Sequence, residues 1–196
     1  MPILANALIE RIDVDRDRYL GLINRCKYAI LMKEGDDTYR AYETKDPSVP
    51  GLEDCRLLIV TLNDRDIIYS CYFKVVEHPF FGSRVVQVEV RSDEPGTARF
   101  VMQRFFLKHY GALRTDISHT PAGRKMWERF IETNQCNFYI ADLPIDANTE
   151  LGRRNQDANN VEQFYHLRRL TTDDVIWHDN RRGNVSVIYA TNASIL

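Results

Sequence analysis

Cysteine is scarce and scattered: Cys26, Cys55, Cys71 and Cys136 are the four in 196 residues. Four such thiols cannot staple a disulfide scaffold. They form no CxxC pair and no histidine cluster stands near them, which excludes the paired spacing of a structural zinc site. They read as reduced thiols of a cytosolic protein, with Cys71 filling a strand. Long apolar runs are also missing: none approaches the roughly 20 residues a spanning helix needs. Residues 1–10 carry no basic n-region ahead of an unbroken apolar stretch, so no signal peptide is read and a cytoplasmic, membrane-free protein is expected. Seven Pro and nine Gly are too few for a fibrous or disordered chain. Neither sign of charge dominates: 26 Lys and Arg face 28 Asp and Glu, a formal net charge of -2. A global electrostatic hold on nucleic acid or an anionic membrane is therefore not indicated, though a local basic patch stays open.

What is present is a globular pattern of alternating segment types. Leu20, Ile23 and Cys26 fall near helical spacing and predict a short helix over 17–26. Tyr28–Met32 starts a first strand. The stretch 35–54, with Gly-Asp-Asp, Asp-Pro-Ser and Pro-Gly, reads as connecting loop around at most a short strand. Three strand-like runs follow, Arg56–Leu62, Asp66–Val76 and Arg84–Arg91. The last two alternate with period two and are expected as antiparallel neighbours, with Gln87, Glu89 and Arg91 on a polar face.

Beyond Arg91 the pattern turns helical. Val101, Met102, Phe105, Phe106 and Tyr110 make an apolar stripe that Gly111 ends. A short strand is expected over 112–117. Thr120-Pro121 then offers a side-chain cap and a first-turn proline for a helix whose stripe is Met126, Trp127, Phe130 and Ile131. Cys136–Ala141 reads as another strand, 144–160 as a polar loop or insertion, and 163–170 and 185–190 as closing strands. The expected fold is one α+β domain over residues 1–196.

The segment from Val85 to Tyr110 carries the clearest chemical signal. A strand, a glycine turn and a helix start follow one another there, and the first amides of a helix favour an anion. Gly96 permits close approach, Thr97 adds a hydroxyl and Arg99 a cation. Asp116, Ser118 and His119 lie at the next strand-to-helix junction. An unperturbed imidazole changes charge near neutral pH, which makes His119 a candidate proton relay, with capping and loop roles as the alternative. These close neighbours cannot form a nucleophilic triad. Arg153-Arg154, Arg168-Arg169 and Arg181-Arg182, interleaved with Phe164, Tyr165 and Trp177, offer a patch for a phosphate-bearing partner such as nucleic acid. Asp173, Asp174 and Asp179 dilute it, and a salt-bridged surface is the alternative.

The order of elements, the turn Gly96-Thr97-Ala98 and the run Leu113–Phe130 (LRTDISHTPAGRKMWERF) resemble the GNAT superfamily of CoA-dependent N-acyltransferases. The likeness is to small phage-encoded members in particular. It is close over residues 84–141 and rests on element order elsewhere. It implies a mixed, mostly antiparallel central sheet flanked by helices, acetyl-CoA or another acyl-CoA as donor, and an amine of a small molecule, protein or modified base as acceptor. By the same resemblance, Gly96, Thr97, Ala98 and Arg99 hold the CoA pyrophosphate. The backbone at Val88 and Val90 holds the acyl carbonyl and pantetheine, and Glu89 is the general base. The family's helical tyrosine, which protonates the leaving thiolate, is replaced by Trp127, and Tyr139 is the candidate substitute. Where the family has Gln or Arg ahead of the glycine turn, this chain has Asp93, and Pro95 removes an amide donor. Those departures define a second reading, an inactive GNAT-like scaffold that binds protein or nucleic acid.

Overall fold

The computed structural model describes residues 16–24, 26–46, 48–92, 96–116, 120–133, 136–156, 163–171 and 184–192. The chain forms two compact units, each discontinuous in sequence. The first comprises residues 1–74 and 87–105, the second 75–86 and 106–196.

In the first unit, helix α1 (Arg16–Ile23) precedes strands β1 (Tyr28–Glu34), β2 (Asp37–Thr44), β3 (Arg56–Leu62) and β4 (Asp66–His78). Each of these strands pairs antiparallel with the next, and β5 (Gly82–Ser92) lies beside β4. The β3–β4 connection is residues 63–65, in which Asn63 and Asp64 have φ 53° and 61°. Asn and Asp tolerate this left-handed backbone better than other residues with a side chain. The Asn63 side chain also ties that turn to β2, accepting from Thr38 N at 2.8 Å and donating to Asp37 at 2.8 Å.

The core of this unit sits under α1. Tyr19 and Ile23, one turn apart, are buried with Tyr42, Cys55, Leu57, Ile59, Ile67 and Tyr72. Residues 35–54, read from sequence as mostly loop, contain the eight-residue strand β2, which pairs on both sides. Alternation also fails on β4, where every residue from Ile67 to Phe73 is buried. Such a strand is covered on both faces.

The second unit holds the end of β4, the start of β5, helix α3 (Leu107–Tyr110), β6 (Ala112–Arg114), α4 (Pro121–Thr133), β7 (Asn137–Pro144), α5 (Glu150–Gln156), β8 (Tyr165–Arg169) and β9 (Asn184–Thr191). Its strand order is β4-β5-β6-β9-β7-β8. Here β5 and β6 pair in parallel, Val85 with Leu113 and Val86 with Arg114. The pairs β6–β9, β7–β9 and β7–β8 are antiparallel. A parallel pair needs a crossover, which the chain makes through α2 (Thr97–Val101), a π-helical turn (Met102–Phe106) and α3.

One face of this sheet packs Tyr139, Ala141, Leu143, Val187 and Tyr189 with Phe81 and Phe164. The other receives α4 through Phe130, which meets Trp127 and Phe138 edge-on, each at 5.6 Å. The polar stretch 144–160 contains α5. The α5 turn begins at Asp146, whose carbonyl accepts from Thr149 N and Thr149 Oγ1, each at 2.9 Å. Gly152 lies so close to this turn that a Cβ there would overlap the Asp146 carbonyl. The fold is thus α+β with mostly antiparallel strands and few helices. Among the described residues no helix is long and apolar enough to cross a membrane.

Candidate functional site

The glycine turn enters α2 through Gly96, at φ 92° and ψ -18°. That left-handed conformation is cheap only for glycine. The first helical hydrogen bond runs from Phe100 N to the Gly96 carbonyl at 3.0 Å, so the amides of Thr97, Ala98 and Arg99 precede it. No side chain caps this end. Gly96 is exposed, and a Cβ built on it would meet nothing within 4 Å. Open space and forward-pointing amides together suit an anion. The helix start is fixed to the sheet by Phe100, whose ring meets Tyr39 of β2 at 5.7 Å. The Thr97 side chain is buried, so toward solvent this position offers its amide rather than a hydroxyl. Ala98 and Arg99 are half-buried.

Along β5, Val88 and Glu89 are described in backbone only, and Val90 is exposed. Gln87 departs from the polar face expected of it. It is buried, with its amide 3.5 Å from the Tyr69 hydroxyl, while the apolar Val90 faces solvent. Asp93, Glu94 and Pro95 lie outside the described residues, as do Ser118 and His119. Val88, Val90, Glu89 and Gly96–Arg99 all belong to the first unit, and Tyr139 to the second. Tyr139 is fully buried, its ring 6.0 Å from Phe81. Trp127 is 3% exposed on the inner face of α4.

Thr120 caps α4, its Oγ1 accepting from Gly123 N at 3.1 Å and its carbonyl from Arg124 N at 3.0 Å. The cysteines are free, and burial desolvates the thiolates of three of them. It pushes Cys71 up to about 12 and Cys136 to about 11, and raises Cys55 as well. A thiol with a raised pKa is a poorer source of thiolate, so these three are not activated as nucleophiles. Among the described residues no cluster of His, Cys, Asp or Glu suits a metal ion.

Two features were not legible in the sequence. Asp46, 3% exposed, accepts from Tyr72 OH at 2.8 Å and Ser48 N at 3.1 Å, and pairs with Arg18 at 3.5 Å. Ser48 is two residues away, but Tyr72 and Arg18 are distant in sequence, so no local pattern announces them. His78, 2% exposed, accepts the amides of Phe80 and Phe81 on Nδ1 at 3.2 and 3.3 Å and stacks on Phe164 at 4.8 Å. A His-Pro pair followed by two phenylalanines was the one visible hint. The sequence matches no protein-family model and no curated protein.

Proposed function

We propose that the chain is an N-acyltransferase of the GNAT type, moving an acyl group from acetyl-CoA or another acyl-CoA to an amine. The observation that carries this reading is the β5–α2 junction: a left-handed glycine with open space around it starts the helical crossover between two parallel-paired strands. In this reading the amides of Thr97, Ala98 and Arg99 receive the pyrophosphate, where the helix end favours negative charge. Acyl-CoA supplies the thioester carbonyl. The main chain at Val88 and Val90 orients that carbonyl and stabilises charge developing on its oxygen. Glu89 accepts the proton that the amine loses as its nitrogen bonds to the carbonyl carbon; the C–S bond then breaks and CoA leaves as its thiolate, which takes up a proton from solvent.

A second reading is favoured by the residues just ahead of Gly96. Asp93 and Glu94 put two carboxylates in the sequence just ahead of the turn, where like charge would repel two phosphates, and Pro95 has no amide to donate. On that reading the chain is a GNAT-like scaffold without cofactor, serving as a binding module.

Thermal unfolding with and without acetyl-CoA separates the two. At a hundredfold excess over the dissociation constant, the acyltransferase reading expects the midpoint to rise by roughly 5–10 °C. Asp93→Arg, which replaces repulsion with attraction, should enlarge that rise. An unmoved midpoint in both proteins defeats the acyltransferase reading and leaves the scaffold.

A further inference from the structure

We propose that His78 is an acid-sensitive latch: its neutral imidazole closes the β4–β5 turn and holds the lead-in to β8, and protonation releases both. The latch does not depend on acyl-CoA, and all of its parts lie in the second unit.

His78 ends β4, and residues 79–81 lead from it to β5. Pro79 has no amide, so Phe80 and Phe81 carry the first donors that can close the turn. Both donate to His78 Nδ1, at 3.2 and 3.3 Å. A ring nitrogen that accepts hydrogen bonds carries no proton, so the imidazole is neutral with its hydrogen on Nε2. Phe81 meets the ring at 4.7 Å and Tyr189 of β9 meets it at 5.1 Å. Phe164, just ahead of β8, lies face to face with it at 4.8 Å and 9°. One side chain, 2% exposed, thus joins the turn, β9 and the approach to β8.

Closing a turn does not by itself call for histidine. Asp46 accepts the amide two residues on, from Ser48, and Asp146 does the same from Asn148. Imidazole adds a flat ring that stacks on Phe164 and a nitrogen that can gain a proton. Protonation places a hydrogen on Nδ1, facing two N–H groups. Both bonds are then lost and a cation is left buried. This holds whatever Nε2 meets, because Nε2 carries a hydrogen in both forms. The face of Phe164 would attract an imidazolium, but that attraction is weaker than the loss of two amide bonds together with hydration.

The packed elements bring their own charged and titratable groups. On β4 and β5, Glu77 accepts from Ser83 at 3.1 Å, and Arg84 donates to the Val76 and Glu77 carbonyls at 3.3 and 3.0 Å. Tyr189 lies in register with Arg114 of β6 and Tyr139 of β7, and Tyr139 with Arg169 of β8, so these share its face. Asp142 of β7, opposite Ser186, points to the other face. On α5, Asn155 holds Gln163 beside Phe164, while Glu150, Arg153 and Arg154 are exposed. Of these residue types, only histidine has an unperturbed charge change between about pH 5 and 8. A latch closed only when neutral titrates at lower pH in the native protein than in the unfolded chain. Its stabilisation is fully present above the unfolded value, about 6.5, and is lost as pH falls below it.

The test is a titration of the full chain followed by imidazole nitrogen NMR, with hydrogen exchange at the Phe80 and Phe81 amides over the same range. At neutral pH the His78 signals should show Nδ1 unprotonated. The native midpoint should lie about one pH unit or more below that of the urea-unfolded chain. Corrected for intrinsic exchange, protection of the two amides should fall roughly tenfold between about pH 7.5 and pH 5, since each pH unit between the midpoints is tenfold in the opening equilibrium. H78N offers Asn Oδ1 in place of Nδ1 and has no proton to gain, so its protection should stay level. A proton on Nδ1 at neutral pH overturns the proposal, as does a native midpoint at or above the unfolded one. Level protection in the wild-type protein, or an equal fall in H78N, overturns it too. The titration is read on the wild-type chain alone, so it decides the matter even where H78N fails to fold.

Discussion

At Asp46, burial by itself would raise the carboxyl pKa. Hydrogen bonds from the Ser48 hydroxyl, the Tyr72 hydroxyl and Ser48 N, with the Arg18 charge, overcome that and hold it below the usual carboxylate range. A depressed folded-state value means stability that is fully present above the ordinary carboxylate pKa and lost as pH falls through the folded one. Asp46→Asn keeps the shape but loses the charge and turns an acceptor into a donor against donors. It should cost about 2 kcal/mol at neutral pH. Urea midpoints of the two proteins should converge as pH falls below about 4. A gap unchanged between neutral and acid pH would refute the assignment. Asp46 lies in an Asp-Pro-Ser stretch that reads from sequence as loop, and loop it is. What the sequence hides is Tyr72, 26 residues away, which makes the loop carboxylate part of the interior.

Elements with their own boundary chemistry were the most legible. The α4 helix has a capping threonine, a first-turn proline and an apolar stripe, and it starts at the expected residue. Its stability should divide accordingly. Thr120→Ala removes one exposed capping bond and should cost about 1 kcal/mol. Phe130→Ala empties a fully buried ring site between Trp127 and Phe138 and should cost about 3–5 kcal/mol. Denaturant midpoints of the two variants check that ordering, and equal losses would mean that α4 is held by its end rather than its face.

The crossover helix was legible in extent but not in detail. The apolar stripe gives no sign of the π-helical turn Met102–Phe106 that separates the two α-helical segments. Strand β2 was hidden because turn-forming residues on both sides outweighed eight strand residues of mixed polarity. The α5 helix was hidden because its seven residues are held by polar contacts at Asp146, Thr149 and Asn155, not by an apolar stripe.

At the scale of the molecule, the chain passes between its two units at residues 74–75, 86–87 and 105–106. Composition does not change at any of these points, which is why the sequence reads as a single undivided stretch. The weave has a consequence for dissection. Residues 106–196 carry β6, β7, β8 and β9, but the segment 75–86 supplies the strand that pairs with β6 through Val85 and Val86. The same segment supplies Phe81, stacked on Tyr189 at 4.5 Å, and His78, stacked on Phe164 at 4.8 Å. Without it, β6 becomes a three-residue edge strand, and the fully buried rings of Tyr139 and Tyr189 lose part of their cover. Each large aromatic ring stripped from a core costs about 3–5 kcal/mol, against the 5–15 kcal/mol that holds a whole domain together. A fragment of residues 106–196 should therefore show no cooperative thermal transition by circular dichroism. A fragment of residues 75–196 retains this hairpin, and residues 87–105 of the first unit with it, but lacks residues 1–74. It should bury Tyr139 and Tyr189 better, and show stronger near-ultraviolet signal. A sharp, native-like transition in the 106–196 fragment would show that the segment 75–86 is dispensable to the unit it enters.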